Sequence, residues 1–172
     1  MKFIFTKIFF IFLFIGLSNA NENIRFIDIN YIVNNSEAGK ALKKIAENKI
    51  KKISTELNDM GKKIENKKEK IISQKNILKK DEYEKLVKDY DEEVKKYNII
   101  RKKKNEDFNE FRINSQKKII ETLNPIISSY LKKQSVQILL QKEQIIFADK
   151  KLDITEEILK VFNNKHKKIK FN

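Results

Sequence analysis

The acidic triplet Asp91-Glu92-Glu93 is the densest group of side chains that could carry acid–base chemistry. General acid–base catalysis needs a carboxyl group that is positioned and whose pKa is shifted by its surroundings. These carboxylates lie in a charged segment of helical periodicity with no apolar pocket beside them, and glycine-rich phosphate loops are absent. The sequence therefore predicts that the chain is not an enzyme.

Composition restricts metal and thiol chemistry. The 172 residues include no Cys and one His, His166. Cysteine-type zinc sites, disulfides and thiol catalysis are excluded, and so is a two-histidine metal site within one chain. His166 lies in a basic tail without carboxylate neighbours, so we predict no role for it and no cofactor for the chain.

Basic clusters are the second chemical feature. The chain has 38 Lys and Arg against 24 Asp and Glu, a formal net charge of +14, and residues 40–125 hold 25 of the basic and 16 of the acidic residues. Such clusters attract acidic client chains, acidic lipid headgroups or lipopolysaccharide over about a Debye length, ~8 Å at physiological salt. The predicted basic patch consists of Lys67, Lys68, Lys79, Lys80, Arg101, Lys102, Lys103 and Lys104.

Adjacent apolar residues are the third feature. Two helices that pack along one seam cannot bury both members of such a pair, because neighbours in sequence point about 100° apart around a helix. Some of these side chains must face elsewhere, where they could hold an apolar segment of another chain. The candidates are Ile71, Ile72, Ile77, Leu78, Tyr83, Leu86, Ile99 and Ile100.

The element that must position these residues is a long helical hairpin. Only three Gly and one Pro interrupt the chain, and residues 38–130 carry two apolar stripes with heptad spacing. We predict an antiparallel two-helix coiled-coil arm with its tip at about residues 78–82, because Asp81-Glu82-Tyr83-Glu84 has the spacing of a capping box. Helices of about 40 residues reach roughly 60 Å. Gly61 lies in mid-arm and could act as a hinge.

The chain ends predict a small β-rich body, formed by residues 21–37 and 131–163, so that the fold class is α+β. We predict a strand over residues 24–29 and a strand hairpin over residues 136–141 and 144–148. A last helix follows, with Asp153 or Thr155 as its cap. Its buried side consists of Ile154, Ile158, Leu159 and Phe162. Residues 164–172 form a basic, frayed tail.

So few strands cannot hide their own edges, and self-association would cover them. The residues expected at the association surface are Ile24, Phe26, Ile27, Ile29, Ile138, Leu140, Ile145 and Phe147.

Residues 1–20 read as a secretory signal peptide. Lys2 and Lys7 precede an apolar run from Ile8 to Leu17, and Ser18 and Ala20 are small residues at the positions that a signal peptidase requires. We predict export with cleavage after Ala20, either to a Gram-negative periplasm or through a eukaryotic secretory route, which leaves a net charge of +12. An exported chain rarely meets nucleic acid, and no aromatic stacking platform is evident, so nucleic acid is not an expected partner.

The order of these segments resembles the Skp/OmpH family of periplasmic chaperones. The similarity is carried by IRFIDI, by NYIVNNSEAGKAL, and above all by a strand region that ends in Ala148-Asp149 before Asp153-Ile154-Thr155 opens the final helix. The resemblance implies a homotrimer in which strands of three bodies close a barrel. The three arms would surround a cavity that holds unfolded outer-membrane proteins without ATP. The alternative is a structural coiled-coil spacer of the cell envelope.

Overall fold

The computed structural model describes residues 23–171. The predicted signal peptide lies outside these residues. The elements in chain order are β1 (Ile24–Ile27), α1 (Ile29–Asn35), α2 (Glu37–Gln74), α3 (Lys80–Lys133), β2 (Ile138–Gln141), two 3₁₀ turns (Lys142–Gln144 and Lys150–Leu152) and α4 (Thr155–Lys165). Helices α2 and α3 form the arm, and the remaining elements form the body at its base.

The start of α2 and the turn between α2 and α3 are each determined by nearby residues. The buried Ser36 caps α2, because its Oγ accepts a hydrogen bond from the Gly39 backbone N–H at 3.0 Å. Residues 75–79 make the turn, and α3 begins at Lys80, so the predicted capping box at Asp81 does not form. Asp81 and Glu82 instead lie in the first turn of α3, where carboxylates stabilise the positive end of the helix dipole.

The strand hairpin predicted for residues 136–141 and 144–148 is wrong. Only β2 forms there, and it pairs in parallel with β1 from the other end of the chain, with Ile24 opposite Ile138. A tight hairpin needs residues that accept positive φ, such as Asn or Gly, and Lys142-Glu143 offers neither. The chain makes a 3₁₀ turn instead, in which the Ile145 N–H donates to the Lys142 carbonyl at 3.1 Å.

The predicted first strand is also shorter than expected. It ends at Ile27, and Ile29 begins α1, because the Asp28 side chain accepts a hydrogen bond from the Tyr31 N–H and caps that helix. The Asp28 backbone N–H donates a hydrogen bond to Thr155 Oγ1 at 2.9 Å. This bond connects the N-terminal part of the body to α4. Asp28 therefore connects β1, α1 and α4.

The hydrophobic core lies where the base of the arm meets the body. The predicted buried face of the last helix is confirmed, and these side chains pack with residues of β1, α1 and the C-terminal part of α3. Helix α3 continues through Pro125 and supplies core residues on both sides of it. The fully buried members of the core are Ile27, Ile32, Ala38, Ile119, Leu123, Ile154, Ile158 and Phe162.

The basic tail is packed rather than frayed in the part that the structure describes. Ile169 and Phe171 are partly buried against the core. They alternate with Lys168 and Lys170, so the lysines stay in water while the apolar side chains cover the body. Within residues 23–171, no helix has the length and apolarity to cross a membrane.

Candidate binding surfaces of the arm and body

The seam between α2 and α3 is only half-buried, because each helix has a single neighbour. Apolar side chains line it at alternating spacings of three and four residues, as in a coiled coil. The half-buried seam residues are Ile53, Leu57, Met60, Ile64 and Ile71 on α2, and Tyr83, Val87, Tyr90, Val94, Tyr97, Ile100 and Phe108 on α3. A two-helix arm therefore leaves much of its surface available for contact with another molecule.

Two lysines that interrupt the apolar stripes are paired across the seam. Lys67 forms a salt bridge with Glu93, and Lys104 forms one with Glu56 at 2.7 Å. The two pairs are eleven residues apart on α2 and eleven on α3, as one antiparallel register requires. The polar positions thus tie the two helices together where apolar contact is missing.

The predicted basic residues lie in separate places along the arm rather than in one patch. Lys68, Lys80 and Lys102 pair with carboxylates of their own helices at 3.4–3.9 Å, in addition to the two cross-seam lysines. The Arg101 guanidinium lies 5.8 Å from the centre of the Tyr97 ring. Of the eight predicted residues, three have no carboxylate within salt-bridge distance among the described residues: Lys79, Arg101 and Lys103. Five of the eight predicted basic residues are therefore paired with a carboxylate.

The adjacent apolar pairs on the helices separate as helix geometry requires, and Ile77 and Leu78 separate within the turn between α2 and α3. Ile77 is 78% exposed and Ile99 is 68% exposed, and Ile72 also points into solvent. Their neighbours Ile71, Leu78 and Ile100 are half-buried, as are the other two candidates, Tyr83 and Leu86. The structure therefore places three of the eight predicted contact residues outside the seam.

Three exposed isoleucines on the arm were not among the predicted contact residues. Ile50, which continues the seam stripe in the sequence, is 51% exposed, and Ile113 is 65% exposed. Ile120 is also exposed, whereas its neighbour Ile119 is fully buried. The rule of adjacent apolar residues could have found Ile120, but nothing in the local sequence distinguishes Ile50 from a buried seam residue.

The residues predicted for the association surface fall into two groups. Phe26 and Ile27 are buried within the single chain, and Ile24, Ile29 and Ile145 are half-buried. By contrast, the other three are exposed: Leu140 at 38%, Phe147 at 92%, and Ile138. Ile146, which was not predicted, is also fully exposed.

These exposed apolar residues lie beside an open sheet edge. The sheet has two strands, and the far side of β1 is bridged at Phe26 to Asp153. The outer edge of β2 has no strand partner within residues 23–171. An unpaired edge flanked by apolar side chains is a surface on which another strand can pair.

A tyrosine–carboxylate pair joins the arm to the last helix. The Tyr130 hydroxyl on α3 donates a hydrogen bond to Glu157 on α4. Burial, and then this hydrogen bond, raise the pKa of Tyr130 to about 12. The pair is therefore stable in its neutral-tyrosine form throughout the physiological range and is a structural contact. Within the described residues, no group of three or more His, Asp or Glu side chains could hold a metal ion.

The fold is a long antiparallel helical hairpin on a small α+β base. The family model for outer membrane protein (OmpH-like) matches residues 23–162, and the chain belongs to this family, as its resemblance predicted. The family is non-enzymatic, which agrees with the expectation that the chain is not an enzyme.

One solved structure shows the same fold. It is a crystal structure of a Caulobacter crescentus protein that is provisionally assigned as an OmpH-like outer membrane chaperone. The two structures superpose with a TM-score of 0.82 at 17% sequence identity, over 87% of this chain and 89% of the other. Among curated proteins, none matches the chain significantly.

Proposed function

We propose that the chain is an ATP-independent holdase of the periplasm, which binds unfolded outer-membrane proteins in a cavity between the arms of a homotrimer. Membership of the OmpH-like family and the fold of the Caulobacter crescentus protein support a chaperone role. The observation that carries the proposal is that several isoleucines of the arm lie outside the seam between its two helices. These side chains do not contribute to the packing of the hairpin itself. Ile72, Ile77 and Ile99 are the predicted members of this set.

Dispersed apolar contacts suit a chaperone that has no nucleotide to drive release. Each exposed isoleucine can bury an apolar side chain of a client, and a well-buried side chain contributes about 1.5–3 kcal/mol at most. Binding to the unfolded chain competes with the client's own folding. Several weak contacts therefore hold the client against aggregation while leaving its folding free to displace the arm.

Trimerisation is supported by the unfinished body of the single chain. The open edge of β2 and the exposed Leu140 and Phe147 would be covered by copies of the same chain that close a barrel. Three arms on one body would then surround a cavity.

The unpaired cations of the arm give this surface a role in recognition. Of the predicted basic residues, Lys79, Arg101 and Lys103 would add attraction for acidic client segments, and the same charge would favour contact with acidic lipid or lipopolysaccharide. This attraction is electrostatic, so it weakens as the salt concentration rises.

Light scattering of a denatured porin tests the holdase function. The porin is diluted from denaturant into buffer with and without the protein, and we expect scattering to be suppressed at a ratio near one trimer per porin. Matched samples at low and high salt separate the apolar contribution from the electrostatic one. Unchanged scattering at several-fold excess would contradict the function.

A structural spacer is the alternative, and it differs in its N-terminus. A spacer tethered to the inner membrane would retain residues 1–20, whereas a free periplasmic chaperone would begin after Ala20. Mass measurement of the exported protein distinguishes the two. The exposed isoleucines favour the chaperone, since a spacer gains nothing from apolar side chains in solvent.

A further inference from the structure

The base of the arm contains an open groove of about 690 Å³, which we call the basal groove. It lies where the end of α1 meets α2 and α3, close to the body. Its floor is apolar and consists of Val33, Leu42, Ala46, Ile50 and Phe108. A volume of this size lies within the range of known ligand-binding pockets.

The groove is open because the two facing stripes do not complement each other. On α2 the small Ala46 lies between Leu42 and Ile50, each four residues away. On α3 the stripe that begins at Phe108 continues with Arg112 and then Gln116 at the same spacing. Because Arg112 and Gln116 are polar and Ala46 is small, these side chains do not cover the apolar floor of the groove. Ile50 is therefore half-exposed.

The rim of the groove carries more positive than negative charge. Lys43 and Arg112 are basic, Glu47 is acidic, and none of the three has a salt-bridge partner among the described residues. An occupant that combines an apolar ring with a carboxylate can cover the floor and pair with the free cations at once. A purely apolar occupant would leave both cations unpaired.

We propose that the basal groove is an anchor site for an aromatic side chain of the client that lies next to an Asp or Glu in the client sequence. The inference rests on the proposed function, because it assumes that the natural occupant is an unfolded chain. It goes further by placing one contact at a defined point of the arm and by giving that contact a sequence preference. The remaining exposed isoleucines would hold the rest of the client without such a preference.

Binding of dansyl-labelled peptides to the full mature protein tests the inference directly. The probes are soluble peptides that alternate Phe with Ser and carry either Asp or Lys next to each Phe. We expect fluorescence anisotropy to show binding of the Asp peptide that is about fivefold or more tighter than that of the Lys peptide, equivalent to about 1 kcal/mol. Equal affinity for both peptides would overturn the preference.

Two variants locate the site. Ile50→Asp places a charge on the groove floor and should weaken the Asp peptide about tenfold. Asn114→Asp makes the same change of charge at an exposed residue of α3 that does not line the groove, and it should leave the affinity within about twofold. An equal loss in both variants, or in neither, would overturn the placement.

Charge reversal keeps the test decisive if Ile50→Asp fails to fold. Lys43 is exposed, so Lys43→Glu should leave the helicity unchanged, and it should reduce or reverse the preference between the two peptides. An unchanged preference would count against the groove. Porin scattering is measured with the same variants: suppression by the wild type without peptide discrimination would refute the inference alone, whereas no suppression would refute the proposed function.

Discussion

Two glycines in α2 have different roles, although both lie within the same helix. Gly39 packs against the end of α1, and a Cβ atom there would lie 1.7 Å from the Val33 carbonyl oxygen. Gly61 lies in mid-arm, and a Cβ atom there would meet nothing within 4 Å. The first glycine is required by packing, and the second is not.

We therefore expect opposite effects from the same substitution at the two positions. Gly39→Ala should lower the free energy of unfolding by about 2 kcal/mol or more, because α1 must move away from α2. Gly61→Ala should raise it by about 1 kcal/mol through helix propensity. Urea denaturation followed by circular dichroism measures both. A stabilised Gly61→Ala variant that holds porin less well would support the predicted hinge, whereas unchanged chaperone activity would argue against it.

At the scale of elements, the arm is held by a shallow apolar seam with a few ionic ties. The pairs Lys67–Glu93 and Lys104–Glu56 replace apolar contact at two polar positions of the seam. Such partly exposed ion pairs contribute little to stability individually. Their role is to select one register of α2 against α3, because the heptad repeats would otherwise allow one helix to shift along the other.

A double-mutant cycle measures the tie between Lys104 and Glu56. Replacing each residue and both by Ala should give a coupling free energy of about 0.5–1 kcal/mol, which falls in 1 M salt because the charges are screened. The matched control is the intrahelical pair of Lys102 with Glu106, at 3.9 Å and more exposed, where we expect about 0.3 kcal/mol. Equal coupling for both pairs would contradict a special role for the cross-seam tie.

At the scale of the whole molecule, the body of one chain is folded but incomplete. Its core is fully formed, yet the edge of β2 and the side chains of Ile138, Leu140 and Phe147 remain uncovered. Sequence reasoning placed all eight body residues at one association surface. The structure instead divides them between a core within the chain and a surface that is free to associate.

This division predicts different outcomes for two substitutions in the body. Leu140→Asp should dissociate the proposed trimer while the chain stays folded, because Leu140 is exposed in the single chain. Ile27→Asp should unfold the body and leave part of the arm helicity, because Ile27 is fully buried. Analytical ultracentrifugation and circular dichroism distinguish them, with Ile113→Asp on the arm as a trimeric control. A monomeric wild type would contradict the assembly.

The sequence alone determined the features that depend on local periodicity and composition. The helical hairpin, a first strand that begins at Ile24, the buried face of α4 and the family resemblance could be predicted, because helix and strand periods are determined by neighbouring residues. The separation of Ile99 from Ile100 also followed from helix geometry.

Only the tertiary structure decided which residues meet across long distances in sequence. The parallel pairing of β1 with β2 and the open groove that Ile50 shares with Phe108 depend on partners more than 40 residues away. The packing of Ile169 and Phe171 depends on a core that residues from both parts of the body assemble. A local pattern cannot specify such a partner, because the same apolar residue suits a seam, a core or an exposed groove. The side chains that lie opposite it decide among the three.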